Sequence, residues 1–309
     1  MAKRKNTKKD VSLGTAILIA LYILFEVFVA PNLEQPATNT QTPGNPDVPS
    51  VSTNVDGQLD IHYIDVGQAD SILLTLNDKA MLIDGGNNGD GNLVVDYIQK
   101  QGISTLNYVI GTHPHEDHIG GLDDVINSFN VETVLMPKVQ NDTKTFEDVL
   151  DAISAKELSI TSPKVGDTYD FSEAQFTILS CKNEAVDELN TCSIVIRLVF
   201  GEQSYIFCAD AEKENEYEMM ESGLTLKSNV IKIGHHGSTS SSLEKFILAV
   251  NPEIAVISVG EGNDYGHPHE KIVKRLNRLG IKTYRTDLHG TIVISSDGKT
   301  NTVTVSKEE

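Results

Sequence analysis

Four potential metal ligands crowd into six residues of this chain. They are His113, His115, Asp117 and His118, in the run Gly111-Thr-His-Pro-His-Glu-Asp-His-Ile-Gly-Gly121. An apolar run at 106–110 precedes them and reads as a buried strand. Imidazole and carboxylate suit a borderline divalent ion such as zinc. A loop leaving a strand can fold His113 and His115 toward one ion while Asp117 and His118 face a second. Gly120 and Gly121 are expected to turn the backbone tightly into a helix at 122–129. The alternative is a surface loop that happens to hold three histidines. The chain has only nine in 309 residues, and so dense a His-x-His-x-Asp-His cluster is rare by accident.

The N-terminus has a different character. Residues 1–9 carry five basic side chains, and 11–30 are almost wholly apolar. About 20 apolar residues match a bilayer core and exceed the apolar part of most signal peptides. The basic tip predicts a cytoplasmic N-terminus with the remainder exported. Residues 1–30 are therefore expected to form the tip and a transmembrane anchor. Cleavage after Ala30, which would release a secreted protein, is disfavoured by Phe28 and Pro31. Residues 31–56 hold five of the ten prolines and few apolar residues, so they read as an extended tether.

Residues 57–309 are long enough for one large core. Strand patterns recur at 59–64, 71–76, 80–83, 171–180, 193–200, 203–208, 230–233 and 254–259. Helical patterns lie at 92–101, 146–156, 212–222, 240–250 and 270–279. This alternation implies an α/β fold. Several strands end in polar payloads: Asp84 after the third, Asp210 after the hairpin around Gly201, and His235-His236 after 230–233. Lys232 points to the opposite face from Ile231 and Ile233, toward either solvent or an anionic substrate. Ser238 and Thr239, at the start of the helix expected at 240–250, could hold a substrate oxyanion.

Five motifs in order carry a resemblance: His62-Tyr-Ile-Asp-Val-Gly-Gln-Ala-Asp-Ser71, Leu82-Ile-Asp-Gly-Gly86, the His113–His118 cluster, His235-His-Gly-Ser238 and Gly266-His-Pro-His269. Together they resemble the metallo-β-lactamase-fold hydrolases, and more narrowly the extracytoplasmic hydrolase domain of the ComEC-type competence proteins. The resemblance spans nearly all of 57–309 but no multi-spanning channel, so it implies hydrolysis and not transport. It implies a four-layer αββα sandwich and two divalent ions, Zn²⁺ or Mn²⁺. His113, His115 and Asn190 would hold one ion. Asp117, His118 and one of His235 and His236 would hold the other, with Asp210 bridging. His235, the first residue off its strand, is the favoured one. Asn190 stands where most of the fold has histidine, and its weaker oxygen suits manganese. Asp84 is expected to order the ligand loop by hydrogen bonds, and Asp65 and Asp70 share that reading with a plain turn role. Asp117, Asp210 and His267 are the implied catalytic residues. His267 and His269 would line the cleft, where a histidine could steady a leaving oxygen or a phosphate.

A hydroxide held between the ions would attack phosphorus, making DNA or another phosphodiester the implied substrate. Charge pulls the other way. Residues 1–56 hold five basic and five acidic side chains, so the whole net charge of −19 falls on 57–309. A protein gripping long DNA normally shows a basic stripe. A cell-wall phosphodiester, a lactam or a lactone is therefore the rival substrate, and a non-enzymatic wall-associated module the more distant alternative. Three cysteines, Cys181, Cys192 and Cys208, without a Cys-x-x-Cys pair, argue against a zinc ribbon or disulfide framework.

Overall fold

A computed structural model describes residues 55–184 and 186–308. The expected anchor and nearly all of the tether lie outside these residues. Among the described residues no helix is long and apolar enough to cross a membrane.

Short alternating runs build the first sheet. β1 (Leu59–Tyr63), β2 (Ile72–Leu76) and β3 (Lys79–Ile83) form an antiparallel meander. β4 (Thr105–Ile110), β5 (Asn130–Leu135) and β6 (Ile160–Thr161) add in parallel, each after a helical crossover. The second sheet begins as the antiparallel run β7 (Thr168–Phe171), β8 (Ala174–Ser180), β9 (Val195–Phe200) and β10 (Gln203–Phe207). It continues in parallel through β11 (Val230–Lys232), β12 (Ile254–Ile257) and β13 (Lys282–Arg285). β14 (Ile292–Ser296) and β15 (Asn301–Val305) return beside β1. The orders are β15-β14-β1-β2-β3-β4-β5-β6 and β13-β12-β11-β10-β9-β8-β7.

The period-2 pattern sorts side chains into three cores. Leu59, Ile61 and Tyr63 on β1, with Leu74 on β2, meet Phe176 and Phe207 between the sheets. Leu73 and Leu82 point the other way, onto Val94, Ile98 and Val125 of the helices Gly91–Lys100 and Leu122–Ser128. On the far side Ile206, Ile231 and Ile257 pack against Met219, Phe246 and Ile272 of three more helices. Three cores between four layers make the αββα sandwich.

Local expectations needed correction where tertiary contacts decide. The strand expected at 171–180 begins at Ala174, after a turn with Ser172 at φ 53° that joins it to β7. The helix expected at 212–222 starts one residue later, capped by Glu212, which pairs with Asn215 in a capping box. The helix expected at 240–250 begins only at Glu244, so Ser238 is not at its N-terminus and instead accepts the Ser240 N–H at 3.2 Å. Gly120 and Gly121 are needed for closeness and not for a turn, since Gly120 is right-handed at φ −58°. A Cβ on Gly121 would lie 2.4 Å from the Gly85 carbonyl oxygen, and one on Gly120 2.3 Å from the Asn88 nitrogen.

The payloads gather because β3, β4, β10, β11 and β12 all run toward the same edge. Their carboxyl ends present Asp84, the His113 loop, Asp210, His235-His236 and the His267 segment together, the usual site in sheets of this kind.

One helix fastens the ligand loop from behind. Glu216, buried in the helix Lys213–Glu221, accepts the backbone N–H groups of Ser242 and Leu243, the latter at 2.8 Å. Burial pushes its carboxyl from 4.5 up to about 7, against those N–H groups and Arg275. A folded-state value above the unfolded one gives stability that is complete below about pH 4.5 and lost as pH rises through about 7. Urea unfolding should show wild type losing about 3 kcal/mol relative to Glu216→Gln across that window. A difference independent of pH would contradict it.

Candidate metal centre

Two ring nitrogens are aimed by their partners. Asp84, fully buried at φ 59°, accepts the Thr112 backbone N–H at 2.8 Å, the Thr112 hydroxyl at 2.7 Å and the His118 Nδ1–H at 2.8 Å. That fixes His118 with Nε2 facing inward. His236 donates Nδ1–H to the Ser258 carbonyl at 3.0 Å, so its Nε2 also faces the site. Such outer partners set which nitrogen is free to ligate.

The freed nitrogens meet two carboxylates. His118 Nε2 lies 3.3 Å from Asp210 Oδ1 and 3.8 Å from Asp117 Oδ2. His236 Nε2 lies 3.3 Å from Asp117 Oδ2 and 3.6 Å from Asp210 Oδ1. Tetrahedral bonds of about 2.1 Å place neighbouring donors about 3.4 Å apart. The four atoms match that spacing. His118 Nε2 and Asp210 Oδ1 are buried without a hydrogen bond, as is Asn190 Oδ1. Orphaned buried polar atoms of this kind fit a divalent cation.

The remaining expected ligands meet in pairs. His113 Nε2 and His115 Nδ1 converge at 3.0 Å. Burial, then the neighbouring His118, pushes His113 well below its usual range and keeps it a neutral donor. His235 Nε2 is 3.7 Å from the other Asp210 oxygen, and its Nδ1 is 3.5 Å from Asn190 Nδ2. Of the two histidines left open, His236 is the one whose ring nitrogen lies among Asp117, His118 and Asp210, while the favoured His235 faces the other Asp210 oxygen. Both histidines have left-handed backbone, at φ 49°. Two successive left-handed residues rotate the chain so that His236, and not the first residue off the strand, turns inward; each such residue costs roughly 1–3 kcal/mol.

Lys232 sits elsewhere than expected, and Asp65 takes the turn role. Lys232 is fully buried, ion-paired with Asp70 and donating to the Ala209 carbonyl at 3.1 Å, so it is beneath the site and out of a substrate's reach. Asp65 accepts from Lys307 at 3.1 Å in a surface turn, away from the ligands. Asp70 occupies the inner position instead. Its carboxylate lies 3.6 Å from His236 Nδ1 and 3.8 Å from His118 Nδ1. Sequence inspection left Asp70 undecided between site and turn, because alternation along a strand says nothing of a partner 162 residues away. His267 and His269 lie at the rim: the His267 ring is 5.6 Å from His235, and His269 Nδ1 accepts the Thr239 N–H at 2.9 Å. The cysteines are unbridged, and burial pushes Cys181 and Cys192 up to about 12.

Residues 64–261 match the model of the metallo-beta-lactamase superfamily. The chain belongs to that family. As a metallo-β-lactamase domain it is 32% identical to ComE operon protein 3 of Bacillus subtilis, over 81% of this chain and 34% of that one. It is 28% identical to Recombination protein 2 of Haemophilus influenzae, over 76% of this chain and 28% of the relative. The chain thus spans about a third of the length of the curated relatives it matches. Among solved structures, CmlA, a diiron β-hydroxylase from Streptomyces venezuelae, shares the fold with TM-score 0.53 and 16% identity, over 77% of this chain and 54% of its own. The metallo-β-lactamase fold protein YhfI from Bacillus subtilis does so with TM-score 0.50 and 12% identity, over 78% and 100%.

The protonation of this metallo-β-lactamase centre is set by its acids. Burial alone would push His118 down, but Asp210, Asp117 and Asp84 outweigh it and hold the ring well above its usual range. His236 is raised in the same way, by Asp210 and Asp117 against burial. Protons therefore stand where a cation would, and loading must displace them. Chelator competition should show Mn²⁺ or Zn²⁺ affinity rising at least about tenfold from about pH 6 to about pH 8. Equal affinity at both would contradict this charge balance. Removing the Asp84 carboxylate frees the His118 ring, and Asp84→Ala should weaken metal binding by about 10–100-fold, measured by the same competition.

Proposed function

We propose that this domain is a binuclear metallohydrolase that cleaves phosphodiester bonds, with DNA as its substrate. The observation that supports it most is Asp210. One of its oxygens faces His118 and His236, and the other faces His235, which Asn190 adjoins. A carboxylate so placed joins two donor sets. Divalent ions held there supply a nucleophile at neutral pH and polarise the phosphoryl oxygen.

The chain's own groups do the rest. Asp84 and the Ser258 carbonyl hold His118 and His236 in their ligating tautomers. Asp117 has a side chain 32% exposed, the open member of the buried set; against burial, His118 and His236 hold its carboxyl below the usual range, so it stays ionised and can accept a hydrogen bond that orients attacking water. Burial, then His235 and His236, pushes His267 down to about 4. At neutral pH it is an uncharged imidazole, suited to steadying a phosphoryl or leaving oxygen by hydrogen bonding. The likeness to ComE operon protein 3, Recombination protein 2 and the competence protein ComA of Neisseria gonorrhoeae supports DNA as the substrate. Residues 1–30, read as an anchor, would hold the domain at the outer face of the membrane.

The acidic net charge of −19 favours a second reading, a smaller cell-wall phosphodiester, lactam or lactone. Incubation with labelled single-stranded DNA and Mn²⁺ separates them. Cleavage is expected, falling on the order of a hundredfold or more in Asp210→Ala and His115→Ala. Undiminished cleavage in both variants overturns the proposal, and turnover of chromogenic esters or lactams without DNA cleavage moves it to the second reading.

A further inference from the structure

Between β12 and the helix Glu270–Arg278 the chain presents a row of rings. Tyr265, 69% exposed, has the highest exposure of the large apolar side chains among the described residues. Its ring lies over His267, with centroids 5.6 Å apart and planes at 20°. His267 in turn lies over His236, at 6.5 Å and 26°. The three planes step from solvent to the metal cluster.

The segment is anchored at both ends. Asn263 accepts the His267 N–H at 3.0 Å and donates to the His267 and Gly260 carbonyls at 2.6 and 2.9 Å. His269 donates its N–H to the Gly237 carbonyl at 3.0 Å and accepts from Thr239. One face of the Tyr265 ring rests against His267, and the side chain is otherwise exposed. It is a preformed flat surface, which favours binding because less ordering remains to be done.

His269 also caps the helix that follows. Ile272 and Leu276 face the core, whereas Lys271, Lys274 and Arg278 are exposed at helical spacing on one outward face. Glu270 pairs with Lys274 at 2.6 Å and Glu244 with Arg278 at 2.6 Å. Arg275 turns back to the Ser242 carbonyl beside buried Glu216, so on the outward face three basic residues stand against Glu270 and Glu244, a local positive excess of one in a domain whose net charge is −19. This small local excess is something composition alone does not reveal.

The geometry points to a single-strand subsite: Tyr265 stacks the nucleobase next to the scissile phosphate, and the Lys271–Lys274–Arg278 face takes the phosphates beyond it. This rests on the phosphodiesterase reading and narrows it to single-stranded nucleic acid. A wall polymer offers repeated phosphates but no planar base, so only a nucleic acid uses both features. Base–aromatic stacking tolerates any sequence, and the affinity should depend steeply on salt.

The test uses the full chain, with fluorescein-labelled oligothymidylate and an abasic oligomer of the same length. Binding is measured in chelator, and cleavage is measured after Mn²⁺ loading. Wild type should prefer oligothymidylate by about tenfold. Tyr265→Ala should abolish that preference and Tyr265→Trp should retain it. The pair Lys271→Glu and Lys274→Glu should weaken both oligomers and reduce the salt slope by about 1.4. Equal wild-type affinity for the two oligomers, or a preference kept in Tyr265→Ala, overturns the subsite. If both oligomers are then still cleaved, the phosphodiesterase reading survives alone. A base preference with cleavage of neither oligomer overturns that reading and keeps the subsite.

Discussion

A fully buried ammonium is what allows this site to exist. Asp70, Asp84 and Asp210 are buried at one end of the sandwich, and Asp117 stands with them half-buried. Lys232 supplies the one fixed positive side chain among them, paired to Asp70 and braced by the Ala209 carbonyl. Asp70 in turn donates its backbone N–H to the Asp117 carbonyl at 3.0 Å and accepts from Gly86 at 2.8 Å, tying the pair to the ligand loop and to the loop after β3. Removing one member of a buried pair leaves an uncompensated charge, typically costing 3–5 kcal/mol. The pair therefore belongs to the foundation of the centre and not to its substrate-facing surface.

Around that foundation the backbone departs from its comfortable regions where ligands must be turned. Asp84, Ala209, His235 and His236 all have positive φ. The surrounding hydrogen bonds hold them there: His235 N–H to the Ala209 carbonyl at 2.9 Å, Ser238 N–H to the His235 carbonyl at 2.7 Å, and the Ser241 hydroxyl to the Gly234 carbonyl at 2.8 Å. Close approach of the glycines at 85, 120 and 121 lets the ligand loop sit directly on the loop after β3. Strain in the loops and tight packing of the sheets are thus two halves of one arrangement.

Charge is organised on two scales. The domain as a whole is acidic, which keeps it from gripping polyanions indiscriminately. Next to the cleft, one helix reverses the sign over a single face, beginning at the histidine that caps it.

The sequence by itself determined the α/β class, the His113–His118 cluster, Asp210 and the His235-His236 pair, because each sits in a short run whose spacing and strand-end position are local facts. It also named Asp84, whose place after an apolar strand ending in Gly-Gly is equally local. Tertiary structure decided the rest. It selected His236 over His235 through two left-handed residues that no pattern announces. It also placed Asp70, and not Asp65, beside the ligands, and drew Lys232 inward to a partner 162 residues away. The exposure of Tyr265 beside His267 and the basic face of the helix after it emerged only once burial was known, since composition sums charges without saying where they lie. Period and spacing fix what a residue does to its neighbours in the chain; long-range packing fixes which of several equally charged or equally placed residues reaches the site.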